Sequence, residues 1–211
     1  LAYLYGGVPL LLTEIVEPKF DYVRASKEEV LKQALTDVEF AATHLPCLSS
    51  VQDGEISNAA AYHLLSELYL ATAQYQKAVD AATTVIDDPA TGLMYTRFGS
   101  RANEVPGDVY WDLFRKNNQN RGSGNTEGIW VIQIETDTPG GSGSLTAKDQ
   151  TYTLERHHAP MVRDVKAHGM NPFSWPIGDY TGGRGIGWAI STRYFSDEIW
   201  KDDFYGDMRN A

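Results

Sequence analysis

Residues 57–89 read SNAAAYHLLSELYLATAQYQKAVDAATTVIDDP, and the spacing of their apolar side chains decides the architecture. Leu64, Leu65, Leu68 and Tyr69 recur at the steps of a helical face, with Ser57 placed to cap the first amides. A second helix runs from about Tyr75 to Ile86 and turns Ala78, Val79, Ala82, Val85 and Ile86 inward. The connection between them is so short that the two helices must run antiparallel.

The hairpin follows the tetratricopeptide pattern. Tyr62, Leu65 and Tyr69 stand on its first helix, Tyr75 and Ala78 on its second, and Pro89 near its end. Ala78 and Ala82 are small enough to let two helix backbones approach closely. One such hairpin cannot cover both of its faces, so it needs helical neighbours. Residues 26–45 supply one. Ser26 and Glu29 form a capping box, and Val30, Leu31, Ala34, Leu35, Val38, Ala41, Ala42 and Leu45 make a stripe that Pro46 ends. Another neighbour is expected in the opening run LAYLYGGVPLLLTE (residues 1–14), which reads as the tail of a helix begun before Leu1 and stopped by two glycines and Pro9.

Composition narrows the function classes. The 211 residues are 42% apolar, enough for a packed core. A formal net charge of -10 repels phosphate backbones and anionic headgroups, which argues against nucleic acid as a partner. No apolar run approaches the roughly 18 to 20 residues of a spanning helix. Cys47 is the sole cysteine, so no internal disulfide framework exists, and it reads as a plain small side chain after a helix end.

The chain changes character near residue 98. Beyond it lie 15 of the 19 glycines and all five tryptophans. The expected organisation is a tetratricopeptide-like helical scaffold over residues 1–98 and a loop-rich ligand-binding region over 99–211, within one mainly α fold containing short β-strands. EGIWVIQIE (127–135) has the composition of a strand, between the glycine- and asparagine-rich loops NNQNRGSGN (117–125) and TPGGSGS (138–144). STRYFSDEIWKDDFYGDMRN (191–210) predicts a helix over Thr192–Trp200, capped by Ser191 or Thr192.

Taken in order, LYGGVPLLLTE (4–14), RASKEEVLKQALTDVEFAATHLP (24–46), ISNAAAYHLLSELYLATAQYQKAVDAATTVI (56–86), EGIWVIQIE (127–135) and GWAISTRYFSDEIWKDDFYGDMRN (187–210) resemble the SusD/RagB family of nutrient-binding outer-membrane lipoproteins. The resemblance spans nearly the whole chain. It implies cell-surface capture of oligosaccharides, or in some branches peptides, without catalysis, and delivery to a SusC-like TonB-dependent transporter. Family members are longer and carry a lipid on a cysteine that this chain lacks. The resemblance therefore implies an internal fragment whose membrane association depends on an anchor outside it.

A sugar-binding site needs aromatic platforms with planar polar groups at their edges. NPFSWPIGDYTGGRGIGW (171–188) offers Trp175 and Tyr180 with Asp179 and Arg184 close by, on a loop stiffened by prolines. DVYWDLFRKNNQNRGSG (108–124) offers Tyr110, Trp111 and Arg115, although the spacing of Trp111 and Phe114 also suits a short packed helical turn. Trp130 and Trp200 read as core residues, and Trp188 more as packing than as platform.

Other chemistry finds little support. His63 and Glu67 make half a metal site with no second pair, and the adjacent His157 and His158 cannot easily share an ion. The carboxylate pairs Asp87 with Asp88 and Asp202 with Asp203 read as solvated caps and turns rather than hydrolase acid and base. GGRGIG (182–187) lacks the Lys and Ser or Thr of a phosphate loop. No cofactor motif and no EF-hand spacing are present. The rival to a nutrient-binding protein is a tetratricopeptide module that holds a protein partner.

Overall fold

Ser26 opens the longest helix by the reciprocal bonds its spacing requires. Its Oγ accepts from the Glu29 amide at 3.1 Å, while the Glu29 carboxylate accepts from the Ser26 amide at 2.8 Å and its hydroxyl at 2.9 Å. These bonds, the backbone one foremost, hold the Glu29 carboxyl below its ordinary value. The computed structural model describes residues 1–105, 107–133, 157–158, 160–172, 187–199 and 201. Its helices are α1 (Ala2–Tyr5), α2 (Lys27–His44), α3 (Asn58–Ala71), α4 (Tyr75–Ile86) and α5 (Val109–Leu113). The chain forms two units. One comprises Leu1–Met94, Asn120–Gly122 and Thr126–Val131; the other comprises Tyr95–Gln119, Ser123–Asn125 and the described residues from Ile132 onward.

In the helical unit α3 packs against both α2 and α4. Leu31, Leu35 and Ala42 of α2 meet Ala61, Leu65, Leu68 and Tyr69 of α3 and Ala78 and Ala81 of α4, with Tyr62 packed against them. The tetratricopeptide contacts expected of Tyr62, Leu65, Tyr69 and Ala78 therefore form. A second cluster joins Leu48, Ala59 and Val85, and Ile129 packs against it. The three-residue turn between α3 and α4 satisfies its own backbone. Ala73 takes φ 57°, and the Gln74 amide donates to Tyr69 O at 2.8 Å.

The opening segment folds as α1, which places Ala2 in the core and ends at Gly6 with φ 69°. A side chain at Gly7 would begin 2.4 Å from the Ala25 carbonyl oxygen, so glycine is required for residues 7–9 to run beside 24–25. The Ala25 amide donates to Val8 O at 3.0 Å, and the Arg24 guanidinium donates to Gly7 O at 2.8 Å.

Several expectations need correction. Ser57 precedes α3, but its hydroxyl makes no capping bond and is buried without a partner. Helix α4 turns Ala78, Ala81 and Val85 inward, leaving Val79 and Ile86 exposed, and Leu64 of α3 is also exposed. The apolar arc of α4 is wider than one helix–helix contact, and packing against α3 covers only its Ala78, Ala81 and Val85 edge. No strand forms among the described residues, which hold only the isolated bridges Pro9 with Arg24 and Ala167 with Met170. Residues 127–131 of the predicted strand belong to the helical unit instead. The Met94 amide donates to Glu127 Oε1 at 2.8 Å, and Trp130 Nε1 donates to Gly54 O at 3.1 Å. The predicted final helix is a single wide turn, Tyr194–Glu198, in which the Ile199 amide reaches back five residues to Tyr194 O. Thr192 Oγ1 accepts from the Phe195 amide at its start, and Trp200 lies outside the described residues.

The second unit is organised by polar contacts. Asp108 caps α5 by accepting from the Trp111 amide at 2.7 Å. Asp112, fully buried, accepts from Arg97 Nε at 2.5 Å, Arg97 Nη2 at 3.1 Å and the Phe98 amide at 3.1 Å. Asn118, equally buried, donates to Asp112 O and accepts from the Ser100 amide. No helix among the described residues is long and apolar enough to cross a membrane.

Candidate functional site

Residues of α2, α3 and the segment 127–130 line an apolar groove of about 580 Å³. Val38 and Leu45 of α2, Leu64 of α3 and Ile56 supply its greasy walls, while His63 and Glu127 bring polar atoms to its edge. Trp130 completes the lining. The residue is 46% exposed and its indole N–H is held by the bond to Gly54 O, which makes it an oriented platform rather than the core residue expected from its neighbours. The volume falls in the range of small-molecule sites, and the mixture of one aromatic platform, apolar walls and a few polar groups suits a ligand with both C–H faces and hydroxyls or amides. The available sequence clue was Gly128, which with the glycine-rich loop before it marks the segment as surface; the aliphatic run around Trp130 concealed it.

The residues singled out in the second unit sit together on and after α5. The Arg115 guanidinium lies over the Trp111 ring, its central carbon 3.4 Å from the ring centroid, and a side chain at Gly107 would collide with the same ring. Trp111 is thus half-buried and engaged in packing. Tyr110 meets Phe114 edge to face at 5.0 Å, and both rings remain exposed, at 37% and 67%. Arg115 is 6% exposed. Trp175, Asp179, Tyr180 and Arg184 lie outside the described residues.

One further aromatic surface emerges. Trp188 is 77% exposed and stacks on His157, with centroids 5.2 Å apart and planes 16° from parallel, where the Ala189 amide donates to His157 O. Among the described residues no group of three or more His, Cys, Asp or Glu side chains is placed to hold a metal ion.

No protein-family model matches the chain, and no curated protein matches its sequence. Solved structures do. A SusD-like carbohydrate-binding protein from Bacteroides fragilis matches with a TM-score of 0.51 and 18% identity, over 94% of this chain and 34% of its own. Another SusD-like protein from Bacteroides fragilis and a SusD superfamily protein from Bacteroides thetaiotaomicron match at TM-scores of 0.48 and 0.46, each 24% identical and each over 64% of this chain. The chain spans about a quarter to a third of the length of these proteins. The match along nearly the whole chain shows a SusD-like fold, mainly helical, as the sequence resemblance implied.

Proposed function

We propose that this chain, with its SusD-like fold, binds a nutrient oligomer at the bacterial cell surface, an oligosaccharide before a peptide, and passes it uncut to a TonB-dependent transporter. The observation that carries the binding half is Trp130, nearly half exposed, whose indole is oriented by its own N–H where it lines a groove of ligand size. Such a ring loses little conformational freedom when a sugar face stacks on it. The carbohydrate-binding protein that shares the fold supports the choice of ligand class. Delivery to a transporter and the cell-surface location rest on the SusD-like resemblance. Tyr110, Trp111 and Arg115 are proposed as a second binding region for the same class of ligand, together with Trp175, Asp179, Tyr180 and Arg184.

Calorimetric titration with a panel of neutral oligosaccharides tests the reading. Binding is expected without release of reducing ends, and Trp130→Ala should weaken it about tenfold, the scale of a lost aromatic contact. Exposed Tyr75, Val79 and Ile86 along α4 favour a second reading, a module that docks a partner helix. Tight binding of an amphipathic helical peptide, with no response to glycans or nutrient peptides, would select that reading and reject the first.

A further inference from the structure

Arg115 is a buried cation in an acidic protein, and among the described residues it has no counter-charge. Its Nε is enclosed and meets no acceptor, and no carboxylate among the described residues forms an ion pair with it. The natural partner by position is Asp112, three residues earlier. Both Asp112 oxygens are already taken by Arg97 and the Phe98 amide. Stacking on Trp111 covers a face of the guanidinium. The N–H bonds of a guanidinium lie in its plane, so this contact fixes their direction without using any of them.

A desolvated charge with unused donors is costly to the folded chain, and an incoming anion relieves that cost. Planar, forked donors match a carboxylate, which accepts two parallel bonds from one guanidinium. The exposed rings of Tyr110 on α5 and of Phe114 just after it add apolar surface suited to the C–H face of a pyranose. We propose that Arg115, held by Trp111, is an anion-accepting site for the carboxylate of a uronate-bearing oligosaccharide. The proposal rests on the nutrient-binding reading but uses the second unit, so it stands or falls separately from the Trp130 groove.

The test is calorimetric titration of the full chain with an oligogalacturonate and with its neutral methyl ester. The acid is expected to bind about tenfold tighter than the ester or better, as befits hydrogen bonds to a charged group. Arg115→Met should erase that preference, and Arg115→Lys, which keeps the charge but not the fork, should restore only part of it. Arg115→Met should also melt no lower than the parent, because it removes an unpaired buried charge. Equal affinity for acid and ester overturns the proposal while leaving neutral-glycan binding intact. A Met variant that melts well below the parent with its acid preference unchanged also overturns it, since Arg115 is then structural. A peptide with a free C-terminal carboxylate, compared with its amide, provides the remaining arm. Preference there, with none in the sugar pair, overturns the uronate assignment; absence of binding by every probe here, with a response to the neutral-oligosaccharide panel, overturns this proposal alone, and silence toward that panel as well overturns the nutrient-binding reading too.

Discussion

Tyr69 is 92% removed from solvent, yet its hydroxyl emerges far enough to donate to Glu39 at 2.7 Å. Burial first, and the bond to Glu39 second, push the phenol up from 10.0 to about 12. A phenol is neutral when protonated, so the folded state favours the protonated form. Its contribution to stability is complete below pH 10 and is lost as pH rises through about 12. Tyr69→Phe should cost about 1 kcal/mol near neutral pH, the scale of one hydrogen bond. Urea midpoints followed through the alkaline range should fall more steeply for the parent than for the Phe variant; parallel curves would reject the assignment. The same scale shows why single aromatic residues resist prediction. Trp111 and Trp130 each sit beside large apolar residues in sequence with a glycine a few positions before. The former is covered by Arg115 and Gly107, while the latter projects from a segment anchored at Gly54. Those partners lie four residues either side of Trp111 but 76 residues away from Trp130, and the second distance carries no local signal.

At the scale of elements, local chemistry was legible and the choice of face was not. The Ser26 capping box and the stop at Pro46 involve neighbours within a turn, so residue type and spacing suffice to place α2. Ser26→Ala should lower stability by about 1 kcal/mol, read as an earlier thermal melt of the helical signal. Glu29 adds a pH dependence to the same cap. Its folded value lies below the ordinary 4.5, so its contribution is present above that pH and is lost as acid carries the solution through the lower folded value. The gap between parent and Ala variant should therefore narrow in acid, and a gap that widens would show that Glu29 does not serve the cap. By contrast, α4 presents Ala78, Ala81 and Val85 on one face and Tyr75, Val79, Ala82 and Ile86 on another. Both sets have helical spacing. Only the position of α3 decides which is inside, and that is a tertiary fact. The predicted strand failed for a related reason: the short apolar run around Ile129 marks a segment with a covered side, and Leu48, Ala59 and Val85 of the helical unit cover it where a sheet was expected.

Across the whole molecule the two units are held by different physics. The helical unit buries apolar stripes that the sequence displays openly, whereas the second unit closes around Asp112, Asn118 and Arg97, a polar centre with no periodicity to reveal it. The net charge of -10 acts on both. If a carboxylate must reach Arg115, it approaches through a repulsive field and then meets a cation shielded from solvent. Screening should separate those two stages. The field extends over about 30 Å at 0.01 M salt but only about 8 Å at physiological ionic strength, whereas a contact inside the protein is screened far less. Added salt should therefore raise the association rate of an oligogalacturonate a few-fold and leave its dissociation rate nearly unchanged, with the neutral ester insensitive in both. Stopped-flow measurement across that salt range distinguishes the cases. A rate of association that falls with salt would mean that exposed cations, such as Arg193 at the surface of the same unit, attract the ligand, and a buried acceptor at Arg115 would no longer account for its capture.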